Sequence, residues 1–354
     1  MSENTAAARI GVVIVSYGHE RDVVRLVDSF ADQLREGDRV VVVDNKRPWV
    51  LEGVAGEALR EHGVIIVEHD NGGFAAGCNI GAEAVVDDVD LLFFLNPDTL
   101  VEDPKLLDTL RSGVDTDYAA WMPYLLLPDG TINSAGNALH ISALSWVEGL
   151  GELPQLSEGW SDISVASGAC LVVRTEWWRR LGGMEETYFM YHEDTDFSAR
   201  LLLAGARVGL CHGTSVTHDY DYAKGDYKWI YIERNRHVLI LSVWPTSVIA
   251  VLAPQILAVN LALWLIAAKE GRLRLKLKSL GLLLRGLPET FRLRKKVQPV
   301  RKVSGAEYLA HMEHRIDNPN LGAMSESRAV AAVYRAYYGL SMLLLGVFAS
   351  RRPR

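Results

Sequence analysis

The stretch Val12-Val13-Ile14-Val15-Ser16-Tyr17 is an apolar run that ends in polar residues. Two later runs share this form: residues 39–43 lead into Asp44-Asn45, and residues 91–95 lead into Asn96-Pro97-Asp98. Near-continuous apolar strands that alternate with helical patterns are typical of a parallel, doubly wound sheet. Ligands bind such sheets beyond the carboxyl ends of the strands, where these polar groups lie. We therefore predict an α/β fold with a binding site at that edge.

The periodicity of apolar residues predicts the other elements of this fold. Helices are expected at 20–34, 52–61, 75–87 and 104–112, from Thr175, from Glu193, and at 226–244. Strands are expected at 10–15, 64–67, 169–173 and 207–210, with two short strands near Tyr118–Leu127. Residues 137–162 lack clean periodicity and are interpreted as a loop region on the acceptor side.

A cluster of carboxylates stands at Glu193, Asp194 and Asp196, between an aromatic run and an apolar helical pattern. Carboxylates crowded at one turn repel each other, and they are tolerated where a cation, a sugar hydroxyl or a helix N-terminus uses them. The cluster alone fits a catalytic site and an ordinary acidic first helical turn equally well. The strand-end groups upstream favour the catalytic interpretation.

The segment from Asn71 to Gly81 contains four glycines and two asparagines, so its backbone can approach a ligand closely. By contrast, the first strand is not followed by Gly-x-Gly-x-x-Gly, and the chain has no Walker lysine motif. Because those motifs hold dinucleotides and nucleoside triphosphates, their absence argues against a hydride-transfer enzyme or a P-loop enzyme.

The sequence allows two interpretations for each of two residues at strand ends, Asp44 and Asp98. Asp44 could accept a hydrogen bond from a base-ring N–H, or it could close a plain turn at the strand end. Asp98 could hold a divalent cation, since carboxylate oxygens suit Mg²⁺ or Mn²⁺ that bridges phosphates. An Asn-Pro-Asp sequence is equally typical of a type I turn.

The charge of the chain is unevenly distributed. Residues 1–268 carry 19 Lys+Arg against 38 Asp+Glu, whereas residues 269–302 carry 12 against 2, within a net charge of −7. An acidic body binds nucleic acid poorly, because phosphate contacts dominate that affinity, so no nucleic-acid partner is expected. Three widely spaced cysteines form no metal-ligand pattern and fit a reducing compartment. Residues 1–9 are polar, and we expect no signal peptide.

The basic segment follows the most apolar stretch of the chain, Val248 to Ala268, which is long enough to span a bilayer. A buried helical subdomain is one interpretation. Membrane attachment is the other, because apolar stretches flanked by Lys and Arg suit an anionic cytoplasmic leaflet. The positive-inside rule places the basic segment and the body on the same side. We therefore predict a monotopic stretch that dips in and returns at a break near Pro254, or that lies in the interface.

Taken in order, these blocks resemble the inverting family 2 glycosyltransferases of the GT-A fold, and especially the rhamnosyltransferase-like branch that builds bacterial surface polysaccharides. The resemblance covers roughly residues 10–245. It rests on the segments Val12-Val13-Ile14-Val15-Ser16-Tyr17, Val42-Val43-Asp44-Asn45, Asn71-x-Gly73-Phe74-Ala75-x-Gly77-x-Asn79-x-Gly81, Leu95-Asn96-Pro97-Asp98, Ser167-Gly168-Ala169-Cys170, Gly182-Gly183-Met184 and Phe189-Met190-Tyr191-His192-Glu193-Asp194-x-Asp196.

The resemblance implies roles for individual residues. Asp194 would be the general base, with Glu193 beside it, and Asp98 and His218 would hold Mn²⁺ or Mg²⁺. The acceptor side would include Gly168, Ala169 and Asp196. The nucleotide-sugar site would comprise Ser16, Tyr17, Asp44, Asn71, Gly73, Asn79, Asn96 and Arg234. Asn96 takes the place of the first Asp in the family's Asp-x-Asp motif.

The resemblance also implies an architecture and an activity. We predict a GT-A glycosyltransferase domain over residues 1–245 and a helical, membrane-associating region over residues 246–354, located at the cytoplasmic face of the cell membrane. The predicted activity is metal-dependent, inverting transfer of a sugar, with L-rhamnose as the first candidate, from a dTDP- or UDP-sugar to a polyprenyl-linked glycan or a polysaccharide. Transfer of a hexose or N-acetylhexosamine from UDP, and a catalytically silent sugar-nucleotide-binding scaffold, are the alternatives.

Overall fold

The computed structural model describes residue 5, residues 7–46, residue 51, and residues 53–220, 225–315 and 328–350. The chain divides into two compact units. The first comprises Met1–Asn137, Val147–Leu201 and Ala206–Tyr222, and the second comprises Ala138–Trp146, Leu202–Gly205 and Ala223–Arg354. The domain boundary expected at residue 245 stays a prediction. The basic end of the chain, residues 351–354, lies outside the described residues.

The elements alternate along the chain much as the apolar pattern predicts. The strands are β1 (Ile10–Ser16), β2 (Arg39–Asp44), β3 (Ile65–Glu68), β4 (Leu91–Leu95), β5 (Thr99–Leu100), β6 (Tyr118–Leu126), β7 (Ile132–Ser134), β8 (Asn137–Leu139), β9 (Ser145–Val147), β10 (Trp160–Asp162), β11 (Cys170–Arg174) and β12 (Arg207–His218). The helices up to residue 203 are α1 (Glu20–Phe30), α2 (Val54–Glu61), α3 (Phe74–Glu83), α4 (Leu106–Arg111), α5 (Thr175–Leu181) and α6 (Glu193–Leu203).

One mixed sheet forms the centre of the first unit. Its main strand order is β10-β12-β6-β11-β4-β1-β2-β3, with β5 paired to β12 and β7 paired to β6. Four of the seven pairs along this order are parallel, namely β12–β6, β4–β1, β1–β2 and β2–β3. The prediction of a mostly parallel sheet is therefore confirmed. Because β1, β2 and β4 run in parallel, their polar carboxyl ends meet at one edge.

Burial on both faces explains the sequence of the central strands. All seven residues of β1 and all five of β4 are buried, as a parallel sheet covered on both sides requires. Helix α3 packs closely on β1 through small residues. A Cβ at Gly77 would lie 2.5 Å from Val15, and a Cβ at Gly81 would lie 2.4 Å from Val13. These two glycines therefore allow the helix to approach the sheet.

Two regions differ from the sequence-based expectation. Residues 137–162 contain three strands, β8, β9 and β10, each of three residues, which is too short to produce a detectable period. Strand β12 extends eight residues beyond the expected end at 210. A register shift between Cys211 and Ser215 interrupts its pairing with β6, and this irregularity hides the continuity of the strand in the sequence.

The second unit is largely helical. Its α-helices are α7 (Tyr227–Ser242), α8 (Thr246–Lys269), α9 (Leu273–Val297), α10 (Gly305–Ala310) and α11 (Arg328–Ser350). All of them except α10 are long. Among the described residues, α8 is the one helix that is long and apolar enough to cross a membrane, judged by length and composition alone. The predicted C-terminal helical region is confirmed as helical.

The break expected near Pro254 is wrong, because α8 continues through that residue. A proline removes one backbone hydrogen bond and crowds the preceding turn, which usually kinks a helix. Here the turn is held by burial of Leu252 and Ile256 and by the Tyr337 hydroxyl, which donates to the Val251 carbonyl at 2.6 Å. Tertiary packing therefore outweighs the local effect of the proline.

Candidate active site

Helix α6 begins with the carboxylates that the sequence singles out. The residues before it adopt left-handed backbone conformations, with φ of 66° at Phe189, 65° at Tyr191 and 71° at His192. Such angles are costly for residues other than glycine, and they persist where the surrounding structure fixes them. The turn therefore presents Glu193 and Asp194 in one enforced orientation.

Asp194 is anchored by its backbone neighbours. Its Oδ2 accepts the Gly168 N–H at 3.0 Å, and its Oδ1 accepts the Thr195 N–H at 2.6 Å and the Thr195 hydroxyl at 3.2 Å. Burial raises the pKa of Asp194, and these donors act in the opposite direction. The result is an oriented carboxylate that is more basic than one in water, as a general base requires.

Glu193 lies beside Asp194 and is the more buried of the two residues. Its residue is 7% exposed, and its Oε2 has no hydrogen-bond partner among the described residues. Burial, followed by the charge of Asp194, raises the pKa of Glu193 from 4.5 to about 8. Glu193 is therefore a neutral acid at pH 7, which leaves the negative charge of the pair on Asp194.

Asp196 is turned into the protein. It is fully buried, accepts from Arg200 Nε at 2.6 Å and accepts from the Tyr188 hydroxyl at 3.1 Å. Arg200 in turn donates to the carbonyls of Leu181 and Gly183 at 3.0 and 2.9 Å. This geometry makes the carboxylate of Asp196 a link between α6 and the preceding loop, and it does not present that carboxylate to an acceptor.

The glycine-rich segment contacts the turn that precedes α6. The Phe74 N–H donates to the Phe189 carbonyl at 2.7 Å, and a Cβ at Gly73 would lie 2.2 Å from that carbonyl oxygen. Asn71 Oδ1 accepts the Gly73 N–H at 3.0 Å. Asn79 is used within the protein, because its amide exchanges two hydrogen bonds of 2.9 Å with the backbone of Met184. The structure thus joins two motifs that are more than 100 residues apart.

The ends of β1 and β2 lie side by side where the base pocket is expected. Ser16 and Asp44 are paired in register and both are buried, whereas Tyr17 is half exposed. Asp44 Oδ2 accepts the Leu51 N–H at 2.9 Å, while its Oδ1 has no partner within the described part of the chain. A buried carboxylate oxygen without a donor is costly. Asp44 is therefore suited to accept an N–H from a bound base.

Asp98 and His218 lie together where β5 pairs with β12. Asp98 Oδ1 is 3.3 Å from His218 Nε2, and the backbone of Thr99 pairs with that of His218 between β5 and β12. Two ligands of one octahedral cation are separated by roughly 3 Å, so this pair fits a divalent cation. Within the described residues, no third His, Cys, Asp or Glu joins them.

The Gly168-Ala169 segment connects the carboxylate of α6 to the Asn-Pro-Asp turn. The Gly168 N–H binds Asp194, and the Ala169 carbonyl accepts the Asn96 N–H at 3.0 Å. The Asn96 carbonyl then accepts the Thr99 hydroxyl at 2.6 Å. Hydrogen bonds therefore link Asp194 to the turn that bears Asp98, and their membership of one site stays a prediction.

Arg234 lies on α7 in the second unit, where Nη1 donates to Asn235 Oδ1 at 2.8 Å. Its predicted contact with a donor diphosphate stays a prediction.

Two residues near the site were not anticipated. Asn133, on β7, has its Oδ1 3.0 Å from His218 Nδ1. Lys46 follows β2 and places its ammonium 5.5 Å from the centre of the Tyr17 ring. Lys46 could have been found from its position directly after Asp44-Asn45. Asn133 carries no such signal, because its partner is 85 residues away.

Comparisons with known proteins agree with this geometry. Residues 11–182 match the model of glycosyl transferase family 2. Rhamnosyltransferase WbbL of Escherichia coli K12 is 28% identical over 61% of this chain and 84% of its own length. The low-salt glycan biosynthesis hexosyltransferase Agl10 of Haloferax volcanii is 21% identical over 70% of this chain and 80% of its own length.

Solved structures share the fold. The crystal structure of GalNAc-T7 with UDP, GalNAc and Mn²⁺ matches with a TM-score of 0.57 at 15% identity, over 71% of this chain and 51% of that chain. At this identity the likeness shows the fold alone. The match to the family model identifies residues 11–182 as a glycosyl transferase family 2 domain.

Proposed function

We propose that the protein is an inverting glycosyltransferase that moves a sugar, L-rhamnose in the first instance, from a dTDP- or UDP-linked donor. The observation that carries this proposal is the backbone connection from Asp194 through Gly168-Ala169 to the turn that bears Asp98. It supports a single site in which the buried carboxylate of Asp194 would act beside the two candidate cation ligands. The similarity to a rhamnosyltransferase supports the choice of sugar.

Asp98 and His218 would hold Mn²⁺ or Mg²⁺. When bound, such a cation neutralises the charge that develops on the departing nucleoside diphosphate. The buried Oδ1 of Asp44 would accept an N–H of the uracil or thymine ring, and Tyr17 would cover its face. These contacts fix the donor so that its anomeric carbon faces the acceptor.

Asp194 would act on the acceptor. The acceptor oxygen attacks the anomeric carbon, the bond from that carbon to the diphosphate oxygen breaks, and the hydroxyl proton moves to Asp194. A single displacement of this kind inverts the anomeric configuration and needs no covalent nucleophile. Glu193, which stays neutral at pH 7, would leave Asp194 as the charged member of the pair.

The acceptor we propose is a polyprenyl-linked glycan or a growing polysaccharide at the cytoplasmic face of the membrane. The apolar helix α8 supports a membrane location. Transfer of a different hexose or of an N-acetylhexosamine is the second candidate, and the similarity to a hexosyltransferase favours it.

A thermal-shift experiment tests the donor site. Purified protein with Mn²⁺ is screened against dTDP, UDP, GDP, CDP and their common sugar conjugates. Ligands that bind the native state raise the melting temperature by mass action, and we expect a metal-dependent rise with dTDP or UDP that is larger for one conjugate. Asp98→Asn should abolish the metal dependence. A rise of equal size without metal would contradict the role of Asp98, and no rise with any nucleotide would contradict the donor site.

A further inference from the structure

Helix α8 exposes an unbroken apolar stripe. Residues 246–268 contain no Asp, Glu, Lys or Arg. Leu257, Leu261 and Leu265 follow each other at intervals of one helical turn, and they are 68%, 63% and 64% exposed. Exposed apolar stripes of this length are uncommon on soluble proteins and mark surfaces that bind a partner or a membrane.

Helix α9 carries a similar stripe that is bordered by positive charge. Its exposed apolar residues are Leu273, Leu277, Leu280, Leu284 and Phe291. Its exposed basic residues are Arg274, Lys278, Arg285, Arg292, Lys295 and Lys296. An apolar face with Lys and Arg along its border is typical of a helix that lies on an anionic lipid surface.

One polar residue of each helix, Asn260 of α8 and Lys276 of α9, contacts polar side chains of α7. Asn260, in the middle of α8, accepts hydrogen bonds from Arg236 and, at 3.1 Å, from His237 Nε2. Lys276 of α9 donates to Glu233 Oε1 at 2.5 Å. Asn260 and Lys276, which would be costly in lipid, are therefore paired inside the helical unit.

The packing also determines the course of α8. The Arg272 guanidinium, between α8 and α9, lies 4.5 Å from the Trp229 ring near the start of α7. Arg294, near the end of α9, donates to the Leu241 carbonyl near the end of α7 at 2.8 Å. Helices α7 and α9 therefore run side by side, and α8 returns along them. A bundle that crossed the hydrocarbon core would carry Glu233, Arg236 and His237 of α7 into it, which is costly even for paired groups.

We propose that α8 lies in the plane of one leaflet of an anionic membrane, with the stripe Leu257, Leu261 and Leu265 in contact with the acyl chains and the basic border of α9 on the head groups. This arrangement excludes both a span and a dip that returns at Pro254. The inference rests on the proposed membrane location of the transferase. It is independent of the chemistry, because binding is measured without donor or acceptor.

The first test is flotation of the full chain with vesicles. We expect binding to vesicles that contain 30% phosphatidylserine, weak binding to pure phosphatidylcholine, and loss of binding at high salt. Neutralising Arg274, Lys278 and Arg285 to Gln should weaken binding by about 100-fold. Replacing Leu257, Leu261 and Leu265 by Ser should weaken it by about tenfold or more. The matched control replaces Leu153 and Leu156, which are 75% and 57% exposed in the first unit, and should bind as the wild type does.

The second test measures depth. Single cysteines at positions 257 and 265, in a background that lacks Cys78, Cys170 and Cys211, carry an environment-sensitive fluorophore, and quenching lipids report the depth of each label. These positions are about 12 Å apart along the helix. We expect equal, shallow depths. Depths that differ by about 12 Å would overturn the in-plane arrangement, and absence of binding to anionic vesicles would overturn the membrane surface itself. Neither result bears on donor binding, which the thermal-shift screen measures separately.

Discussion

The imidazole of His218 is positioned by an amide from another strand. Because Asn133 Oδ1 accepts from Nδ1, Nε2 keeps its lone pair on the side of Asp98. Groups that hold a metal-binding histidine in this way commonly affect metal affinity by about 10- to 100-fold. Asn133→Ala should therefore weaken Mn²⁺ binding by that factor, as measured by titration calorimetry.

Two further variants make the Asn133 prediction specific. Asn133→Asp keeps an acceptor at the same place and should restore most of the Mn²⁺ affinity. Asn137→Ala, which removes an amide from the next strand, is the control and should bind Mn²⁺ as the wild type does. Equal affinity in Asn133→Ala and the wild type would show that His218 needs no such partner or binds no cation.

Glu193 should make stability depend on pH. Because its pKa is about 8 in the folded protein and 4.5 ordinarily, the folded state holds the proton more tightly. The stabilisation is complete below about pH 4.5 and is lost as the pH rises towards 8. Glu193→Gln cannot ionise, so its free energy of unfolding should fall less than that of the wild type between pH 5.5 and 8.5. Urea denaturation at both values tests this, and equal losses in both proteins would contradict a buried neutral Glu193.

For single residues, the sequence predicts candidate functional side chains at strand ends and helix starts. It predicts less well the side chains that hold those candidates in place. Asp44, Asp98 and Asp194 are recognisable because each stands in a motif at a strand end or a helix start. Their roles are proposals that the geometry supports. Asn133 and the buried pair of Asp196 with Arg200 depend on tertiary packing, for which a single sequence has no local signal.

Helix α6 contains a buried ion pair between Asp196 and Arg200, and Arg200 also donates to the carbonyls of Leu181 and Gly183. Removing one partner of such a pair leaves an uncompensated charge and typically costs about 3–5 kcal/mol. Arg200→Met should therefore lower the free energy of unfolding by about that amount, whereas the double variant with Asp196→Leu should recover most of it. Denaturant titration measures both values.

The exposed pair of Arg207 and Asp117 provides the comparison for this prediction. The two side chains are 43% and 68% exposed, so Arg207→Met should cost less than about 1 kcal/mol. If Arg200→Met and Arg207→Met lowered the free energy of unfolding by similar amounts, burial would not explain the contribution of the pair in α6.

Among the elements, those with long apolar periods were predicted well and those with short or irregular pairing were not. Strands β1, β2 and β4 lie at the expected residues because both faces of each strand are buried. The three strands within 137–162 escaped detection because each has only three residues. The course of α8 through Pro254 depends on contacts with Tyr337, which lies 83 residues further along the chain.

For the whole molecule, the order of the motifs carries more information than any one of them. The order of strand-end groups, glycine-rich segment and acidic helix predicted the glycosyltransferase fold. The charge asymmetry predicted a basic segment and argued against a single span, but it left open a dip that returns at Pro254 and a helix in the interface. The in-plane arrangement that we propose depends on the continuity of α8 through Pro254 and on its packing with α7 and α9, which composition cannot show.

Transfer of labelled sugar by the wild type and by Asp194→Asn tests the central claim most directly. The donor is the conjugate with the largest thermal shift, and the acceptor is a lipid-linked glycan extract. We predict that Asp194→Asn folds normally, binds donor with Mn²⁺ as the wild type does, and transfers sugar about 10²- to 10⁴-fold more slowly. A variant that transfers sugar at nearly the wild-type rate would contradict the assignment of Asp194 as the base.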